Sequence, residues 1–152
     1  MGPVRALSML YFAYGSLINR DNLLEMSPSA SPVGTARIEN HALCFTGHSE
    51  TWGGGTATIG LAPTRDLWGG LYEIETDSRA GIERAGKNDG YVWAFTSVLD
   101  ASAERVKAGL LVKIRDFERT DPSATYLQVL TAGWLQWGLD PEVILRNIAP
   151  TI

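Results

Sequence analysis

The sequence predicts an α+β fold, and three observations carry that reading. Strand-like runs dominate the first two thirds of the chain, while apolar residues recurring every three to four positions are confined to the last third. The elements therefore segregate along the chain and do not alternate as a doubly wound α/β sheet requires. The glycines, 16 in all, are spread among the strands, as a bent and partly closed sheet needs.

Each element has its own warrant. Residues 10–14 form a short apolar run that reads as a buried strand ending in the turn Tyr14-Gly15-Ser16-Leu17. Gly and Ser at such a turn bring backbone N–H groups together where a small anionic group can sit, and Tyr14 and Ser16 add hydroxyls. By composition alone the tetrapeptide is simply a turn. Residues 21–26 read as a short helix and 27–32 as a loop rich in Ser and Pro. Strand-like pieces follow within 33–45, notably 42–45. The segment 48–59 contains Trp52-Gly53-Gly54-Gly55-Thr56, and its consecutive glycines imply a sharp bend or a ligand packed on main chain. Residues 67–74 read as a further strand, with Gly69 and Gly70 suggesting a bulge. Residues 78–85 give a short helix and 91–99 a strand. Over 105–115, Val106, Ala108, Leu110, Val112 and Ile114 alternate with charged or small neighbours, the pattern of a strand with one buried face. Asp121 then caps a helix with Pro122 at its first position. Tyr126, Leu127, Leu130, Trp134 and Trp137 recur at helical spacing until Gly138 stops them. Trp134 and Trp137 on that helical face read as core. Asp140 and Pro141 repeat the start signal for a last helix reaching Ile148.

At 152 residues the chain fits one domain, 1–152, large enough to bury roughly two thirds of its unfolded surface. A net charge of −4 and a pI near 5.1 argue against nucleic acid or an anionic membrane as a partner, since neither attracts an acidic surface. The single cysteine, Cys44, cannot form an internal disulfide and fits a reducing cytosol, so a cytoplasmic location is expected. Residues 1–5 lack the apolar core of a signal peptide, and the apolar run 9–14 is too short to span a bilayer. No feature fixes an oligomeric state.

Most catalytic constellations fail on spacing. His41 and His48 with Cys44 between them have no metal-ligand spacing, so hydrogen-bonded or surface histidines are expected. Ser16 is not in a G-x-S-x-G elbow, and the Gly-rich run lacks the Gly-Lys-Ser/Thr ending of a phosphate loop. What is left is a set of backbone donors at the Tyr14-Gly15-Ser16-Leu17 turn, with a carboxylate and a tyrosine. Such a set can hold an amino acid by its charged ends while one acid/base group moves a proton.

Four segments in order extend that reading: Phe12-Ala13-Tyr14-Gly15-Ser16-Leu17, Trp52-Gly53-Gly54-Gly55-Thr56-Ala57-Thr58-Ile59, Leu67-Trp68-Gly69-Gly70-Leu71-Tyr72-Glu73-Ile74, and Pro122-Ser123-x-x-Tyr126. In these the chain resembles the gamma-glutamylcyclotransferase-like family, a superfamily that includes gamma-glutamylamine cyclotransferases and AIG2-like proteins. The likeness runs from about residue 10 to 150. It implies a small mixed β-barrel with flanking helices. It also implies a small-molecule substrate, a γ-glutamyl amide or amine, cleaved to 5-oxoproline and the free amine with no metal or organic cofactor. In that reaction the substrate's own α-amine attacks its γ-carbonyl and expels the attached amine. Folding the glutamyl chain back supplies proximity, worth up to about 7–11 kcal/mol in well-oriented intramolecular cases. By the resemblance, the amides of Tyr14, Gly15, Ser16 and Leu17 would hold the α-carboxylate or carbonyl oxygen, and Tyr126 would line the glutamyl pocket.

One departure stands out. The family's catalytic glutamate usually closes a Leu-Asp-x-x-Glu-Gly motif. Here Ile82-Glu83-Arg84-Ala85-Gly86-Lys87 puts Gly86 at the glutamate position and Glu83 at the aspartate position. Three readings stay open. Glu83, or secondarily Asp89, does the same work; or Tyr14, Tyr126 or Glu50 carries a different proton transfer or cyclisation; or the pocket binds a small amino-acid-like ligand without catalysis.

Overall fold

The computed structural model describes residues 7–146. Among them, five strands close a barrel: β1 (Ser8–Ala13), β2 (Ser31–Ser49), β3 (Gly54–Glu75), β4 (Tyr91–Leu99) and β5 (Arg105–Lys113), in the order β1-β3-β2-β4-β5. Neighbours are antiparallel except β1 and β5, which close the barrel in parallel through Tyr11↔Gly109. The barrel is therefore mixed. A turn of 3-10 helix (Ser16–Ile18) leads into α1 (Arg20–Met26), and α2 (Ser78–Lys87), α3 (Ala124–Gln136) and α4 (Glu142–Arg146) complete the α+β architecture. No helix among the described residues is long and apolar enough to cross a membrane.

The region read as strand-like pieces is one 19-residue strand, because three irregularities bend it without ending it. Its pairing with β3 shifts register between Pro32 and Gly34, Glu39 and His41, and Thr46 and Ser49. Such bulges add the twist and curvature that a small barrel needs. The loop expected over 27–32 accordingly ends at Ala30, and β2 begins at Ser31. The bulge expected at Gly69 and Gly70 is absent. Pairing runs unbroken through both, Ala36↔Gly69 and Thr35↔Gly70 on one side and Ala13↔Gly70 on the other. Glycine is required there for packing: a Cβ on Gly69 would stand 2.5 Å from the Ala13 carbonyl oxygen, and one on Gly70 2.3 Å from the Trp137 indole.

Two further expectations are corrected. β5 does not bury one face only, since Ala108, Gly109, Leu110 and Leu111 are all buried. Trp93 lies across Gly109, covering the outer side of the strand where alternation predicts exposure. The cap of α3 is Ser123, not Asp121: Ser123 Oγ accepts from Tyr126 N at 3.1 Å, while Asp121 O accepts from Gly55 N at 3.0 Å. Gly138, with φ of 73°, ends α3, and Trp134 and Trp137 are buried in the core. The last helix is described to Arg146; the expected residues Asn147 and Ile148 lie outside the described residues, as do 1–5.

Candidate functional site

A cavity of about 280 Å³ collects residues from β1, the 3-10 turn, α1, the β2–β3 connection, the end of α2, β4, β5 and α3. All five of the expected binding residues, Tyr14, Gly15, Ser16, Leu17 and Tyr126, line it.

The turn is fixed from behind by α3. A Cβ on Gly133 would lie 2.8 Å from Asn19 N, so glycine lets the helix backbone approach the turn closely. Asn19 Nδ2 donates to Val129 O at 3.2 Å, and the Ile18 carbonyl accepts from Trp137 Nε1 at 2.8 Å and Tyr72 Oη at 3.1 Å. These bonds satisfy buried backbone acceptors and hold Ser16 and Leu17 at the cavity wall.

The glycine run 53–55 performs a related task. Gly53, with φ of 76°, turns the chain, and Gly54 and Gly55 pass directly under residues 120–123. A Cβ on Gly55 would sit 2.0 Å from the Thr120 carbonyl oxygen. The main chain packed on these glycines is thus the protein's own. That contact sets the start of α3, and with it Tyr126. The Tyr126 hydroxyl accepts from Ala57 N at 2.9 Å and faces the Ser16 N–H, while the Tyr91 hydroxyl donates to the Ala57 carbonyl. Trp52 meets Tyr126 edge-on, with ring centroids 5.2 Å apart, and walls one side of the cavity. Tyr14 donates to the Leu111 carbonyl across the barrel at 2.5 Å. Thr56 Oγ1 is buried in the same wall, close to the Tyr91 hydroxyl.

Burial raises the phenol pKa values of Tyr11, Tyr14, Tyr91 and Tyr126 above the ordinary 10.0, a rise that the hydrogen bond from Ala57 N partly offsets at Tyr126. Near neutral pH these four are uncharged donors and acceptors, not bases. Among the described residues, the charged lining groups are two carboxylates, Glu25 and Asp89, and no Lys, Arg or His lines the cavity. Asp89 is half-buried, and its charge acts on Tyr91, Tyr126 and Lys113. Lys113 is buried behind the Tyr91 ring and donates to Thr46 O and Oγ1; burial lowers its pKa, partly opposed by Asp89 and Asp116.

Glu83 is placed elsewhere. It pairs with Arg79 at 2.7 Å, one helical turn away on α2, and does not line the cavity. Glu50 is exposed and also outside the lining. Ala85 and Gly86 at the end of α2 and Asp89 in the turn after it do line it. A Cβ on Gly86 would lie 2.9 Å from Tyr91 Cβ and 3.0 Å from Leu111 Cδ1, so that position is filled by its neighbours. Asn22, Glu25 and Met26 on α1 were not among the expected site residues, although their i, i+3, i+4 spacing beside the turn is a readable signal. Among the described residues, no group of three or more His, Cys, Asp or Glu side chains is arranged to hold a metal ion.

No family model matches the chain. It is 28% identical to bovine and to human gamma-glutamylcyclotransferase over 141 residues, covering 89% of this chain and 74% of each of those proteins. A solved structure of a gamma-glutamyl cyclotransferase superposes with a TM-score of 0.84 at 29% identity, covering 95% of this chain and 90% of that one. Near-complete coverage in both comparisons, on the same mixed barrel, leads to one conclusion: the chain is similar to gamma-glutamylcyclotransferases over almost its whole length and shares their fold.

Proposed function

We propose that this protein cyclises a γ-glutamyl amide or amine, releasing 5-oxoproline and the free amine. The observation that carries this reading is the half-buried Asp89 carboxylate in the same cavity wall as the Ser16 and Leu17 backbone and the Tyr126 hydroxyl. In this scheme the substrate's α-carboxylate lies against the Ser16–Leu17 side. Asp89 removes a proton from the α-ammonium. The freed amine nitrogen attacks the γ-carbonyl carbon, and the resulting oxyanion is met by donors of the turn and the buried Thr56 hydroxyl. When the oxyanion collapses and the C–N bond to the leaving amine breaks, Asp89 gives the first proton to that nitrogen. It then takes the second proton from the ring nitrogen, which leaves the lactam N–H, and that proton passes to the released amine. The neutral tyrosines orient and exclude water; none needs to ionise.

The test is 5-oxoproline release from a panel of γ-glutamyl amides and amines. General acid/base work contributes about 10²–10⁴-fold, so Asp89→Asn is expected to lower kcat by that order while Glu83→Gln retains turnover. Turnover lost in Glu83→Gln and kept in Asp89→Asn would return the role to Glu83. Saturable glutamyl binding with no release from any substrate would favour a binding module on this scaffold.

A further inference from the structure

The charge pattern of the cavity points beyond the glutamyl group to the group attached to it. The buried part of the lining is neutral: Tyr11, Tyr14, Thr56 and Tyr126 with apolar Leu17, Ala57 and Leu111. The exposed rim is different, with Glu25 on α1 beside Met26 and across from Trp52 of the β2–β3 connection. Among the described residues neither Glu25 nor Asp89 has an ion-pair partner. Asp89 is compensated from behind by the buried Lys113, but Lys113 does not reach the rim or line the cavity. Among the described residues, Glu25 is thus the rim charge without an ion-pair partner. A glutamyl chain bound by its α-carboxylate at the turn directs its γ-amide, and the amine beyond it, outward. That tail meets a carboxylate, a thioether and an indole, a set that suits an aliphatic stem ending in a cation. A tail ending in a carboxylate would face Glu25 with no cation to receive it.

Resting on the cyclotransferase reading, we propose that the preferred substrates are γ-glutamyl conjugates of amines that carry a second positive charge, with Glu25 as the residue that selects them. The matched probes are the mono-γ-glutamyl amides of 1,5-diaminopentane, n-pentylamine and 5-aminopentanoic acid, which differ at the far end in charge and little in length. The expected order of kcat/KM is cation, then neutral, then anion. The cation should lead the neutral probe by about two- to fivefold, the range of one exposed ion pair, and the lead should shrink as salt is added. Glu25→Gln is expected to collapse the cation-to-neutral ratio towards one, and Glu25→Lys to reverse the order of cation and anion. Both changes fall on an exposed helix position, and circular dichroism checks that the variants fold. Equal turnover of all three probes, or a preference that Glu25→Lys does not move, overturns the proposal and leaves the cyclotransferase reading standing. If none of the three is cyclised, that reading fails instead. Titration calorimetry of the same probes then decides whether the rim still ranks ligands by charge, and equal affinities overturn the proposal.

Discussion

Gly86 and Tyr91 are fitted to each other, and this settles what a substitution at the motif position does. A side chain at Gly86 would collide with Tyr91 Cβ and Leu111 Cδ1. Gly86→Glu is therefore expected to destabilise the fold by about 1–3 kcal/mol, the usual cost of overpacking, as urea titration would measure, and not to raise 5-oxoproline release. Tyr126→Phe removes the acceptor for Ala57 N and leaves that buried donor unpaired, at a cost of about 1–3 kcal/mol. A Tm equal to wild type would contradict this bond's role. At this scale the sequence disclosed the residues that sit in local motifs. Tyr14 to Leu17 follow a strand directly, and Tyr126 sits three residues after its cap. Asp89 was visible only as a secondary choice to Glu83, because which face of α2 meets the cavity is fixed by its packing on the barrel, and that leaves Glu83 beside Arg79 and outside the lining. Glu25 is marked in the sequence only by its i, i+3, i+4 spacing with Asn22 and Met26 beside the turn.

Helix α3 organises the site although only Tyr126 of it lines the cavity. It presses Gly133 onto the 3-10 turn and starts under the constraint of Gly54 and Gly55. Gly133→Ala is expected to push α3 from Asn19 and raise KM for any glutamyl ligand, an effect that steady-state kinetics would separate from global stability. Ser123→Ala, by removing the cap, should cost about 1 kcal/mol, whereas Asp121→Ala should leave the helix start intact, because Asp121 contributes a backbone carbonyl there. Elements whose pattern is local were readable: β4 matches its expected span, and α2 runs two residues beyond its own. The misread ones depend on distant neighbours. Gly69 and Gly70 look like a bulge until Phe12 and Trp137 are laid over them, and β5 looks one-sided until Trp93 covers Gly109.

Over the whole molecule, the five tyrosines act together on the response to alkali. Burial raises each of them above 10.0, to about 12 for Tyr72. Their contribution to stability is fully present below pH 10 and is lost as pH rises through the folded values. Lys113 has the opposite sign: its lowered value means that stability rises with pH through its folded value towards 10.5, so the net loss belongs above that point. Tyrosinate absorbance and circular dichroism are expected to change in one cooperative step in strong alkali. Ionisation of the tyrosines near pH 10 with the dichroism intact would contradict the burial described. The closure of the barrel between Tyr11 and Gly109 also bears on biosynthesis. The long β2–β3 hairpin leaves the ribosome early, but the cavity wall is incomplete until Leu111 and then Tyr126 have emerged. A nascent chain therefore passes most of its synthesis with nothing to grip a ligand, and stabilisation by substrate begins only once α3 is free to dock.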